Sequence, residues 1–362
     1  MNKQAIDEYL GDIADILMIK STSVDNIGIL KGRAGIALFL FLYSRYTENQ
    51  KSADLAETII IKIFDEIQNN VYNVEELSEL GIAIEFLARN GFIDANTDEV
   101  LEELDILIDN ALMVRPKRSR INRYAKYMAW RFTVNESNSL GDIQCRIKSS
   151  LDVVLVSEDN SFGSYAEILS RLDFLSDIYM FWENPKQILS HINNAIRKLE
   201  DAVSDDIAFG CYPGTFNPLV AGLVILRVFK KTGLEIYKSK ACLFIEKYGR
   251  HFDEYLDNDS SGLISGSFKW SVLYYYLAEV FVGESGNGLF HKWLNVCIEK
   301  KELFTDDYTE ITPPGILDGY AGMGLSLLYV TGKISDTWID IIPLYYERGK
   351  VTFKPNGNGK SM

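Results

Sequence analysis

Two textures alternate along the chain. Some stretches are apolar nearly all round, such as Ile36-Ala37-Leu38-Phe39-Leu40-Phe41-Leu42, Trp270 to Phe281 and Met323 to Val330. A helix of that kind is expected to be buried between layers. Others, such as Lys51 to Ile67 and Glu99 to Leu112, carry charge along one side and should face water on it. Ile6, Leu10, Ile13 and Leu17 keep a helical period, as do Leu101, Leu104, Leu107 and Ile108. Asn96-Thr97-Asp98-Glu99 supplies cap-type and acidic residues just before the second of these. Strand signals are scarce. Val153-Val154-Leu155-Val156 is the strongest, and it is short enough to read as a helix end.

The apolar runs follow glycine phrases that repeat. Gly28-Ile29-Leu30-Lys31-Gly32-Arg33-Ala34-Gly35 recurs as Gly315-Ile316-Leu317-Asp318-Gly319-Tyr320-Ala321-Gly322, with a looser copy at Gly262-Leu263-Ile264-Ser265-Gly266-Ser267. Seven such segments begin near Gly28, Leu80, Tyr124, Phe162, Phe209, Gly262 and Gly315, about 50 residues apart, the length of a helical hairpin. The expected fold is all-α: an α/α toroid of about seven hairpins, with seven inner and seven outer helices. Copies at both ends of the chain suggest that the array closes on itself. Glycine would supply positive φ and let the inner-helix starts crowd around an axis. The N–H groups and positive dipole ends of those helices would then converge at one mouth. One domain over residues 1–350 is expected, with a disordered tail over 351–362.

Net charge is 37 − 51 = −14, which would repel nucleic-acid phosphates and anionic lipid heads. The exception is the basic stretch Arg115-Pro116-Lys117-Arg118-Ser119-Arg120, extended by Arg123 and Lys126. It reads as a solvated helix approach or as a docking patch for an acidic partner. The four cysteines form no CxxC pair, and Cys242 and Cys297 read as small core residues. Met1 to Leu10 lacks a signal-peptide pattern, and no apolar run is long enough to span a membrane. The expected location is the cytoplasm, with reduced thiols.

In their order and spacing these phrases resemble the lanthionine cyclase (LanC-like) family, from about Ile27 to Val330. Gly81-Ile82-Ala83-Ile84-Glu85-Phe86-Leu87 with Asn90-Gly91-Phe92-Ile93-Asp94 extends the resemblance along a whole hairpin. It implies a seven-repeat α/α toroid that matures a ribosomally made peptide. Family enzymes hold zinc with two cysteines and a histidine, and the metal makes a substrate thiolate available for addition to a dehydroamino acid. Here Phe209-Gly210-Cys211-Tyr212-Pro213-Gly214 keeps one of those cysteines, while Ile264-Ser265-Gly266 stands where the Cys-His-Gly pair would be. The family's acid/base histidine has no counterpart in Ser161-Phe162-Gly163-Ser164-Tyr165-Ala166-Glu167. His191, His251 and His291 fall in outer-helix sequence.

The expectation is therefore a member with a degenerate zinc site, without bound zinc or any other cofactor, and no catalytic residue is assigned. It would bind a precursor peptide or its modifying enzymes at the mouth, through Cys211, Tyr212, Ser265, Lys269, Trp270 and Asp318. The alternatives are an active cyclase with a non-standard site, or a carbohydrate-active α/α toroid. The carboxylate pairs Asp205-Asp206 and Asp306-Asp307, which a glycosidase would need, read more simply as helix caps.

Overall fold

A computed structural model describes residues 3–114, 118–132, 165–180, 182–208, 218–249, 267–277, 292, 294–296, 312–317 and 319–344. Its helices run α1 (Lys3–Lys20), α2 (Arg33–Thr47), α3 (Gln50–Ile67), α4 (Val74–Arg89), α5 (Thr97–Val114) and α6 (Arg118–Phe132). They continue as α7 (Tyr165–Ile178), α8 (Pro185–Ala208), α9 (Pro218–Thr232), α10 (Glu235–Gly249), α11 (Ser267–Leu277) and α12 (Tyr320–Val330). A 3₁₀ helix, Asp336–Ile341, follows. Among the described residues there is no strand, so the all-α expectation holds for them.

The two textures become two kinds of helix. In α2 every residue from Arg33 to Tyr43 is buried, and α12 is buried throughout. In α3 only Ser52, Ala56, Ile59, Ile60, Ile63 and Ile67 are buried, a single stripe at three- and four-residue steps. Ile6, Leu10, Ile13 and Leu17 are all buried, as are Leu101, Leu104 and Ile108. The Asn96 side chain accepts the Asp98 N–H at 3.2 Å and so caps α5.

The packing order is cyclic. The buried helices α2, α4, α6, α7, α9, α11 and α12 each pack against the next, and α12 packs against α2. Helices α3, α5, α8 and α10 each lie against the buried helix that precedes them, and α1 lies against α12. The 3₁₀ helix after α12 reaches across to α4.

The seam between α12 and α2 is made by the repeated glycine phrases. Leu30 O accepts the N–H groups of both Ile316 and Leu317 at 2.9 Å. Each phrase folds back on its own helix in the same way. Arg33, Ala34 and Gly35 donate to Asn26 O, Ile27 O and Gly28 O, while Tyr320, Ala321 and Gly322 donate to Pro313 O, Pro314 O and Gly315 O. Glycine is needed here for close approach, which corrects the expected positive φ: Gly32 and Gly319 are extended, at φ −121° and −127°. A Cβ on Gly35 would stand 1.9 Å from Ile29 O, and one on Gly322 would stand 1.9 Å from Ile316 O. Among the described glycines positive φ occurs instead at Gly91, Gly233 and Gly332, just past the ends of α4, α9 and α12.

Other expectations need correcting. Leu80 and Tyr124 do not open helices but lie inside α4 and α6, which begin about six residues earlier. The entry to α4 is capped by Asn73, whose side chain accepts the Glu76 N–H at 3.0 Å. Gly81 sits inside that helix, where a Cβ would strike the Tyr127 ring at 2.2 Å. Asp205 and Asp206 fall in the last turn of α8 rather than before a helix. Cys242 is only half-buried. His191 lies half-buried in α8, while His251, His291, Asp306, Asp307 and residues 153–156 are outside the described residues.

Candidate functional site

The expected mouth lies where the glycine turns meet. Cys211, Tyr212, Ser265 and Asp318 fall outside the described residues, as does the Trp270 side chain. Lys269 is described, in the first turn of α11, and is only 8 % exposed. A reversal of charge at so buried a position acts on stability as well as on any ligand. The turns themselves differ from expectation in one respect that matters for chemistry. The first N–H groups of α2 and α12, expected to face a ligand, are already taken by loop carbonyls seven residues upstream. At these two helices the dipole remains, but the donors are spent within the seam.

A carboxylate braces the same seam from α4. Glu79 Oε2 accepts the Leu30 N–H at 3.0 Å, and its Oε1 lies 3.4 Å from the Arg123 guanidinium of α6. Burial holds the Glu79 carboxyl above the ordinary range, against the pull of Arg123 and the Leu30 N–H. The basic stretch is thereby partly explained and its surface reading corrected. Arg123 and Lys126 point into the core, neither solvated nor available for docking. Residues 115–117 lie outside the described residues.

Deeper along the same helices is a buried ionic layer. Lys126 Nζ donates to Asp173 at 2.5 Å, and Arg227 of α9 donates to the other oxygen of Asp173 at 3.2 Å. Between α4, α5 and α6, Arg131 pairs with Glu85 at 3.1 Å, Asp98 at 3.1 Å and Asp105 at 3.3 Å. Tyr127 donates to Asp105 at 2.6 Å. Burial, reinforced by Asp105, pushes the Tyr127 phenol well above its usual value. Lys126 was read from the sequence as part of a basic stretch and Asp98 as an acid at a helix start, while Asp105, Tyr127, Arg131, Asp173 and Arg227 were not singled out. The available signal was a charge inside an apolar helical run, as in Ile84-Glu85-Phe86, Leu172-Asp173-Phe174 and Leu226-Arg227-Val228. Such a charge requires a buried partner.

Towards the C-terminal ends of these helices, opposite the glycine turns, the layer opens into a cleft with about 190 Å³ of space. Its charged walls are Arg89 at the end of α4, Asp177 at the end of α7, Lys231 at the end of α9 and Asp340 of the 3₁₀ helix. Arg227 holds that 3₁₀ helix in place by donating to Ile339 O and lying 3.4 Å from Asp340. Asp177 is 9 % exposed, and burial lifts its carboxyl above the usual range despite Lys126 at 3.5 Å and Lys231 at 3.6 Å.

Among the described residues no three His, Cys, Asp or Glu side chains gather as a metal centre requires. Cys211, Ile264 and Ser265 lie outside the described residues, and isoleucine and serine are not the Cys or His donors that a zinc site takes. No described helix is long and apolar enough to cross a membrane. No known protein family matches the chain, and no curated protein matches it.

Proposed function

We propose that the chain is a closed seven-hairpin α/α toroid of the LanC-like type. On this reading it binds an extended, ribosomally made peptide at the glycine-turn end, without zinc and without closing thioethers itself. The observation that supports this most is the seam. The first and last glycine phrases meet through Leu30, Ile316 and Leu317, and the buried helices pack in one unbroken cycle. Such a cycle needs its terminal repeats to pair, and the repeated phrase has the residues that let two backbones approach. The absence of zinc chemistry is argued from Ile264 and Ser265 at the matching positions. A cytoplasmic place beside the peptide's modifying enzymes follows from the same resemblance.

The test uses a dehydrated, cysteine-bearing synthetic peptide with a fluorescent label. Anisotropy is expected to show saturable binding, and the peptide thiol should stay reactive to maleimide after incubation. Dialysed protein should carry well under one zinc per chain. Loss of thiol reactivity would establish cyclase activity and overturn the non-catalytic reading. Absence of binding would overturn the peptide role.

A further inference from the structure

The cleft at the end opposite the glycine turns has a charge pattern that belongs to no feature of the peptide reading. Two cations, Arg89 and Lys231, and two carboxylates, Asp177 and Asp340, share one space. Several of these groups are poorly satisfied. The Lys231 ammonium is 38 % exposed and its ion partner is Asp177 at 3.6 Å, beyond hydrogen-bond reach. Asp177 Oδ2 receives no hydrogen bond, and Lys126 stands 3.5 Å from it. Asp340 is 35 % exposed and lies 3.4 Å from Arg227 Nε. Arg89 stands over the Trp130 ring at 4.5 Å and donates to Trp130 O, while its Nε is 3.8 Å from Glu85. One layer deeper the contacts tighten to 2.5–3.2 Å, as in Lys126–Asp173 and Arg227–Asp173. Long pairs therefore line the walls of the cleft.

We propose that this cleft is a binding site for a small zwitterion, the ammonium and carboxylate of a free α-amino acid. The argument is one of complementarity. The four lining charges sum to zero, so an ion of either sign would leave like charge facing it across the space. A net-neutral molecule with both charged groups on one carbon meets both halves of the wall. Its carboxylate reaches Lys231 and the planar fork of Arg89, and its ammonium reaches Asp177 and Asp340. Long ion pairs are thereby exchanged for charge-assisted hydrogen bonds. Phe86 and Ala129 form apolar wall for the side chain.

Isothermal titration of the full chain with glycine, L-alanine and L-leucine tests this, with ethylammonium and propionate as half-ligands. At least one amino acid is expected to bind saturably at one per chain. Lys231→Met and Asp340→Asn, both at half-exposed positions, should each weaken that binding roughly tenfold or more. Lys240→Met on α10, which is absent from the cleft wall, should not. The half-ligands should bind at least about tenfold more weakly than the amino acid. Three results would each overturn the proposal: no saturable binding of any of the three amino acids, unchanged affinity in both cleft variants, or ethylammonium binding as tightly as the amino acid.

Discussion

Adding one methyl group to the seam should separate close approach from ordinary helix propensity. In Gly35→Ala the new Cβ would stand 1.9 Å from Ile29 O and 3.0 Å from Ile316 Cγ1. Ordinary contact begins at 3.4 Å, so loop and helix must part by about 1.5 Å. That opening breaks two bonds, Ala34 N–H to Ile27 O and Gly35 N–H to Gly28 O. Each is worth about 1 kcal/mol net. Residual overpacking adds about 1–3 kcal/mol. The better helix propensity of alanine returns about 1 kcal/mol. The net expectation is a loss of about 2–4 kcal/mol. Gly322→Ala, 1.9 Å from Ile316 O, should cost the same. The two should not add, because both act on one seam. Gly11→Ala is the control, since its Cβ would have only Tyr43 Oη nearby, at 3.8 Å. Inside α1 it should stabilise by about 0.5–1 kcal/mol. Urea unfolding followed by circular dichroism at matched protein concentration reads all three. If Gly35→Ala proves as stable as Gly11→Ala, the close-approach argument is wrong.

Two further outcomes follow from the buried charges. Lys126→Met leaves Asp173 and Asp177 each short of a cation and should cost about 3–5 kcal/mol. Lys240→Met, which breaks the surface pair with Glu200, should cost under about 1 kcal/mol, and urea unfolding that ranks the two equally would refute the distinction. Glu79 has a raised carboxyl pKa, so the folded chain holds that proton more tightly than the unfolded chain does. Its contribution to stability is present below the ordinary carboxylate value and is lost as pH rises through the raised one. Glu79→Gln should therefore gain stability relative to the parent across that rise, as read by unfolding at a series of pH values. A constant difference between the two would refute it.

Periodicity alone determined that the described segments are helical and that those after the first and last glycine phrases are buried on all sides. It did so because burial of Ile36 to Tyr43 or Met323 to Val330 depends on side-chain polarity at every position, a property each segment carries by itself. The repeated phrase Gly28 to Gly35 and Gly315 to Gly322 likewise announced a pair of equivalent turns, though not the reason for their glycines. Whether glycine serves φ or close approach depends on which carbonyl lies opposite, and Ile29 O and Ile316 O are brought there by the fold. The entry to α4 was misplaced by about six residues, because Asn73 can cap a helix as well as a glycine turn can.

The charged residues show the limit most clearly. Arg123 and Lys126 look like part of a basic surface stretch when read beside Arg118 and Arg120. In the fold they turn inward because Glu79, Asp173 and Asp177, 44 to 51 residues away in the chain, stand ready to meet them. The cleft between Arg89, Asp177, Lys231 and Asp340 was illegible for the same reason. Its four charged walls come from four separate elements, and no local pattern records that their ends share one space. Local polarity decides which face a helix buries. Only the packing of helix against helix decides which charges that burial brings together.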